Sequence, residues 1–137
     1  MGDPECQVLM MRLKTDLLEI IDSATENKLK NLKIKWSEKN SITIVLCAKG
    51  YPYNYLKDSE IKNLSNVLTD KNNQIFHAGT YEKNKKIFSQ GGRVLNVTAS
   101  ANSLLEAREK SLENISKINW TDGFFRKDIG WRAIDKK

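Results

Sequence analysis

Residues that carry chemistry are scarce in this sequence. It has two cysteines, Cys6 and Cys47, and one histidine, His77, in 137 residues. Two cysteines do not make a disulfide framework in a chain of this length, and reduced thiols in a cytoplasmic protein are the simpler reading. With so few Cys and His, far apart, there is no zinc pattern and no metal site is expected. No apolar run approaches the ~20 residues needed to cross a bilayer, so no membrane partner is expected. The opening Gly2-Asp3-Pro4-Glu5 is acidic and polar, unlike the basic and then apolar start of a secretory signal.

Charge of one sign is not concentrated anywhere either. Lys and Arg number 23 against 17 Asp and Glu, a net charge of +6. Such an excess raises the question of a polyanionic partner. Acids, however, sit among the lysines in most segments, and the densest run, Lys83-Asn84-Lys85-Lys86, is short and has Glu82 beside it. Trp36, Trp120 and Trp131 lack the spaced basic pattern of a base-stacking platform and read as packing groups. Nucleic acid is therefore not an expected partner; a phosphorylated small molecule remains compatible. What is present in quantity is ordinary: 39% hydrophobic and 29% charged residues fit a soluble globular chain.

Asp3-Pro4 reads as a helix start, with Asp as cap and Pro at the first helical position. Met10, Leu13, Leu17, Ile20, Ile21 and Ala24 then recur at helical spacing, which predicts one helix fading near Asn27. Residues 28–35 form a basic connector. Residues 41–48 hold Ile42-Thr43-Ile44-Val45-Leu46, a β run without helical period that stops at Gly50-Tyr51-Pro52. Residues 53–70 fit either a short helical turn or a flat loop. Strands are predicted around Gln74–Ala78 and Tyr81–Ser89, the latter folded into a hairpin at Lys83-Asn84-Lys85, and again from Val94 after the Gly91-Gly92 break. Ser103-Leu104-Leu105-Glu106 is a capping-box pattern opening a helix to about Lys117, with Leu105, Arg108, Leu112 and Ile115 at helical spacing.

An ordered set of short motifs runs through this framework: Gly50-Tyr51-Pro52, Phe76-His77-Ala78-Gly79-Thr80, Gly91-Gly92-Arg93-Val94-Leu95, Val97-Thr98-Ala99, and Asp128-Ile129-Gly130 with Arg132-Ala133. Together they resemble the C-terminal domain of phosphoribosylamine–glycine ligases, also called glycinamide ribonucleotide synthetases. The opening Gly2-Asp3-Pro4-Glu5, with Gln7 and Met11-Arg12-Leu13-Lys14, is similar to the end of that family's ATP-grasp domain.

The resemblance implies that ATP phosphorylates the glycine carboxylate and that the amine of 5-phosphoribosylamine displaces the phosphate, with magnesium or manganese bridging the nucleotide phosphates. It also implies that this chain is too short to be the whole enzyme. The family's metal ligands, a Glu and an Asn, lie just upstream of the Gly-Asp-Pro-Glu motif, so the chain alone is expected to bind neither ATP nor the metal and to be inactive without the remainder of the ligase. The sequence departs from the family at Asn96, where glycine is usual, at Ala101-Asn102, and at Phe125, Lys127 and Trp131 around Asp128-Ile129-Gly130.

Several residues carry two readings. Asp3 and Glu5 are the catalytic candidates, active-site facing by the resemblance; as plain residues they suit a helix N-terminus. Gly91, Gly92 and Arg93 are the substrate-binding candidates, since adjacent glycines let backbone N–H groups approach an anion and Arg adds a fork of donors. The other reading is a bulge or tight bend. His77 fits a proton-transfer role or a structural hydrogen bond. Arg12 fits a phosphate contact or an ion pair with Asp16, and Arg126 is expected to pair with Asp128.

The expectation is an α+β chain. Residues 1–35 would be the terminal helix of an ATP-grasp domain and its connector. Residues 36–137 would be a small antiparallel β-rich domain, barrel-sandwich-like, with one main helix.

Overall fold

The computed structural model describes residues 2–135. The α+β expectation holds. Two short helices, α1 (Glu5–Arg12) and α2 (Leu17–Thr25), and a 3-10 turn at Leu29–Asn31 precede strand β1 (Asn40–Ala48). Then come β2 (Glu60–Ile61), a 3-10 turn at Leu64–Asn66, β3 (Asn73–His77), β4 (Thr80–Lys83), β5 (Lys86–Ser89) and β6 (Arg93–Ala101). The long helix α3 (Leu104–Lys117), β7 (Gly123–Phe124) and the short α4 (Trp131–Ile134) complete the chain.

The strands make two antiparallel sheets, one in the order β3-β6-β1-β7 and one in the order β2-β5-β4. In β1, side chains alternate strictly. Ile42, Ile44 and Leu46 lie opposite Ala99, Val97 and Leu95 of β6 and share one face. That face meets α3, whose Ile115 joins Ile44, Leu46, Val97 and Leu95 in the main core. Ile61 of β2 and Ile87 of β5 reach the same core from the smaller sheet. Each fully buried aliphatic side chain of this kind contributes about 1.5–3 kcal/mol.

The opposite face of β1 and β6 is polar apart from Val45 and Cys47. The Thr43 and Thr98 hydroxyls lie 2.7 Å apart, and the Ser100 hydroxyl donates to that of Ser41 at 3.1 Å. Helix α1 lies against both strands. With α3 on one face and α1 on the other, β6 is buried from Val94 to Ala101.

The hairpin tip is built as the sequence implies. Asn84 and Lys85 both have positive φ, 52° and 61°, the signature of a two-residue turn matched to strand twist. Gly50, at φ +96°, is the turn after β1, and a Cβ there would lie 1.9 Å from the Asn54 carbonyl oxygen. Ser103 caps α3, its hydroxyl accepting the Glu106 N–H at 3.1 Å. The undecided stretch resolves into β2 and the 3-10 turn at Leu64–Asn66.

Three expectations are corrected. The N-terminal helix is two helices. The Lys14 and Thr15 N–H groups donate to the Lys35 carbonyl and the Thr15 hydroxyl accepts the Lys35 N–H, so the connector takes the bonds that would continue α1. Asp16 then starts α2 by accepting the Leu18 N–H at 2.7 Å. In α3 Ile115 is buried and Leu112 packs on the main core as the spacing implies, but the other buried residues are Ala107, Ser111 and Asn114, and Leu105 is 47% exposed. Small side chains at Ala107 and Ser111 let the helix approach the sheet, which rotates the buried stripe away from Leu105. Of the tryptophans only Trp120 is buried; Trp36 and Trp131 are 43% and 47% exposed. The Trp120 ring lies where a Cβ on Gly123 would stand, 2.2 Å away, and its N–H donates to the Ser59 hydroxyl. Among the described residues no helix is long and apolar enough to cross a membrane.

Candidate functional site

The chain's first described residues are brought onto the start of β6. The Asp3 carboxylate accepts Arg93 Nη2 at 3.1 Å through one oxygen, and Asn96 Nδ2 at 3.3 Å and Gln7 Nε2 at 3.0 Å through the other. Two of the sequence candidates, 90 residues apart, are thus direct partners. Asp3 does not cap α1. The N-cap position is Pro4, with no side-chain cap bond, because Arg93 and Asn96 beneath the helix draw the carboxylate onto the sheet. Glu5 stays outside this cluster. It is exposed and makes no ion pair or hydrogen bond among the described residues.

Gly91 and Gly92 adjoin the cluster, and packing has a claim on both. A Cβ on Gly91 would stand 3.0 Å from Gly79 Cα, and one on Gly92 would stand 2.4 Å from the Tyr51 ring. The Gly91 N–H already donates to the Gly79 carbonyl at 3.1 Å. Gly92 is buried against the Tyr51 ring, which leaves the outer edge of the half-exposed Arg93 guanidinium as the donor open to an anion.

The chain matches a family described as phosphoribosylglycinamide synthetase, C domain, over residues 41–132. The chain belongs to the phosphoribosylglycinamide synthetase C-domain family. It is 43% identical to the phosphoribosylamine–glycine ligase of Brucella melitensis over 136 residues, 99% of this chain and 32% of that protein. It is 44% identical to the chloroplastic phosphoribosylamine–glycine ligase of Arabidopsis thaliana over 138 residues, 99% of this chain and 26% of that one. The crystal structure of the Thermotoga maritima phosphoribosylamine–glycine ligase superposes with a TM-score of 0.71 at 28% identity, over 93% of this chain and 31% of that one. The chain thus spans about a quarter to a third of the length of these ligases.

The sequence signalled only part of the site. Asn96 stood out merely as a residue where the family favours glycine. It is fully buried, its amide donates to Asp3, and its Oδ1 has no partner. Gln7 Oε1 is likewise buried without a partner. A cleft of about 470 Å³ lies beside Pro4, with Val45, Cys47, Tyr51, Pro52 and Phe124 in its walls. Period-2 alternation places Val45 and Cys47 on the α1 side of β1, but the aromatic wall comes from segments distant in sequence. Burial pushes the Cys47 thiol above its ordinary value, against the opposing pull of Arg93.

The remaining candidates make other contacts. His77 ends β3, exposed, with Nδ1 3.0 Å from the Thr80 hydroxyl. Arg12 does not pair with Asp16, because α1 ends at Arg12 and Asp16 caps the next helix; its guanidinium donates to the Ser37 carbonyl at 3.1 Å. Arg126 and Asp128 form the expected pair in bidentate geometry at 3.0 and 2.6 Å, which raises the arginine and lowers the aspartate relative to their ordinary values. Arg108, read from the sequence only as part of a helical stripe, binds the Lys127 and Ile129 carbonyls and fixes the loop that carries this pair.

Among the described residues no group of three or more His, Cys, Asp or Glu converges to hold a metal ion. Both oxygens of the Asp3 carboxylate are taken up by Arg93, Asn96 and Gln7, so the side chains at the site do not fit magnesium.

Proposed function

We propose that this chain is the C-terminal part of a phosphoribosylamine–glycine ligase. That enzyme joins glycine to 5-phosphoribosylamine as ATP becomes ADP and phosphate, giving glycinamide ribonucleotide for purine synthesis. The observation that carries the reading is the 43% identity to the Brucella melitensis ligase over 99% of this chain, family C domain and preceding residues alike. ATP and the metal would be held by the remainder of the ligase, and the chain alone would be inactive.

In this reading the chain's own contribution is electrostatic. Arg93 offers a planar fork of donors suited to a phosphate oxygen. Asp3 holds the guanidinium from the inner side, so the group is aimed before substrate arrives and less order is lost on binding. Asn96 and Gln7 fix Asp3 in turn. The anion is proposed to be the phosphate of 5-phosphoribosylamine. Glu5, exposed beside this cluster, keeps its active-site role only as a proposal from its motif.

The test mixes the purified chain with a separately produced remainder of the Brucella melitensis ligase and follows ATP- and glycine-dependent formation of glycinamide ribonucleotide. Activity is expected only in the mixture. In that mixture Arg93→Lys is expected to raise KM for phosphoribosylamine about tenfold, since an ammonium cannot replace the fork. Turnover by the chain alone refutes the inactivity. Silence in the mixture, with both parts folded by circular dichroism, refutes the catalytic contribution and favours a binding module that associates without catalysing.

A further inference from the structure

Helix α1 lies across β1 and β6, and the Asp3–Arg93 cluster takes up one end of that contact. The other end opens into a cleft of two adjoining hollows, of about 440 and 300 Å³, that share Lys14, Ser37 and Lys39 in their walls. Arg12, Lys71, Asn72 and Ser100 line the smaller, and Glu38 and Asn102 the larger. Arg12, Lys14, Lys39 and Lys71 thus bring four positive charges around one acid. None of the four forms an ion pair among the described residues. Glu106 lies near enough to feel Lys39, but its carboxylate is bonded to Lys110 at 2.8 Å. The protein's own acceptors in the cleft are neutral. Arg12 Nη2 donates to the Ser37 carbonyl at 3.1 Å, and Lys39 Nζ to Asn72 Oδ1 at 2.8 Å. Arg12 Nε is buried with no partner among the described residues. Like charges gathered without acids repel, and a guanidinium given too few acceptors is under-satisfied; an anion in the cleft answers both.

The backbone beneath these cations is fixed. The Ser37 N–H donates to the Arg12 carbonyl at 2.7 Å, the Lys14 N–H to the Lys35 carbonyl at 3.0 Å, and the Ser100 N–H to the Asn72 carbonyl at 2.7 Å. The donors are therefore held in place before a ligand arrives, which lowers the cost of binding. The rest of the lining selects among anions. It offers hydroxyl and amide groups, from Ser37, Asn72 and Asn102, and no aromatic ring. A nucleobase finds nothing there to stack on, whereas a polyol finds donors and acceptors. A phosphate monoester carries a charge of about −1.5 to −2 at pH 7, which the excess of cations accommodates. We propose that this cleft binds a small phosphorylated polyol, a sugar phosphate by class. The site is separate from the Asp3–Arg93 cluster. Arg93 and Ser100 lie towards opposite ends of β6, roughly 23 Å apart at about 3.3 Å per residue. The proposal stands on the charge and lining of the cleft and does not depend on the ligase reading.

The test titrates ribose 5-phosphate into this chain by calorimetry, with ribose and inorganic phosphate as companion probes. It is run in about 0.1 M salt, where a Debye length of ~10 Å screens charges as remote as Arg93. The chain with Arg93→Gln, which lacks the other proposed phosphate site, is titrated in parallel. Ribose 5-phosphate is expected to bind both forms, inorganic phosphate more weakly, and ribose not at all. Adding Lys14→Gln with Lys71→Gln, two exposed side chains, is expected to weaken binding about tenfold in either form, since hydrogen bonds to charged groups are the strong ones. Binding lost with Arg93→Gln and kept with the lysine pair assigns the ligand to the Asp3–Arg93 cluster and overturns the proposal. So does the absence of binding by ribose 5-phosphate. Inorganic phosphate binding as tightly as ribose 5-phosphate overturns the polyol assignment. A short single-stranded oligonucleotide that binds through the lysine pair where ribose 5-phosphate does not gives the cleft to nucleic acid instead. Backbone amide shifts of the unsubstituted chain supply a readout that no folding defect can confuse. Ser37, Lys39 and Asn72 are expected to move together along one saturation curve with ribose 5-phosphate; shifts confined to residues 91–96 overturn the proposal.

Discussion

Replacing Gly79 by alanine tests whether the glycines around β6 serve packing. A Cβ at Gly79 would stand 2.6 Å from Gly91 Cα and 2.7 Å from both Gly91 N and the Arg93 carbonyl oxygen. All three are backbone atoms, and the Gly79 carbonyl also accepts the Gln90 and Gly91 N–H groups. Relief therefore requires moving the turn that launches β6. Overpacking of this kind costs about 1–3 kcal/mol, and immovable backbone puts Gly79→Ala at the upper end. The lost freedom of the unfolded chain returns about 0.4–1 kcal/mol, leaving roughly 2–3 kcal/mol of net destabilisation. At Gly91 the nearest atoms are Gly79 Cα at 3.0 Å and the Arg93 oxygen at 3.2 Å, a strain of tenths of an ångström. There the two effects nearly cancel, and the net change is expected within about 1 kcal/mol of zero. Urea unfolding followed by circular dichroism gives both values on one scale. A fall of roughly 8–12 °C in thermal midpoint is the parallel expectation for Gly79→Ala. The reasoning fails if Gly91→Ala costs as much as Gly79→Ala, or if Gly79→Ala lies within about 0.5 kcal/mol of the parent.

Two further outcomes are expected. Asp70 accepts the Asn72 N–H at 2.7 Å, the Asn73 side-chain amide at 3.0 Å and the Asn73 N–H at 2.8 Å, and these bonds hold its carboxyl below the usual range. A depressed folded value means that the unfolded chain binds the proton first. The contribution is therefore complete above about pH 4 and is lost as pH falls through the folded value. Asp70→Asn is expected to flatten the acid limb of a plot of thermal midpoint against pH; an unchanged limb refutes the assignment. Ser103→Ala removes the cap of α3 and is expected to cost about 1 kcal/mol in urea unfolding, with Ser103→Gly costing only a few tenths. Equal midpoints for parent and alanine variant would remove the cap from the account.

Local chemistry was legible. Asn84-Lys85 between two β runs needs only its own backbone preferences to make the turn, and Ser103 needs only the N–H three residues on. Ile42–Leu46 alternates because a sheet with unlike faces demands period 2. The apolar period through residues 10–24 misled, because helical spacing persists across the break at residues 13–16. That break is made by Lys35, whose backbone bonds to Lys14 and Thr15 are invisible in the local pattern. The stripe of α3 held at Leu112 and Ile115 and failed at Leu105. Ser111 and Asn114 are buried as well, which apolar spacing does not signal because both are polar.

The sequence by itself determined the class of fold, most element positions and the family resemblance, because each depends on residues near one another in the chain or on motif order. Only the tertiary structure decided what Asp3 does. A carboxylate before a helix satisfies the helix end unless a stronger donor is near, and Arg93 and Asn96 come within reach only when α1 lies across β6. The same holds for α2. Its apolar spacing was in the sequence, but only the fold shows that none of its residues is buried among the described residues.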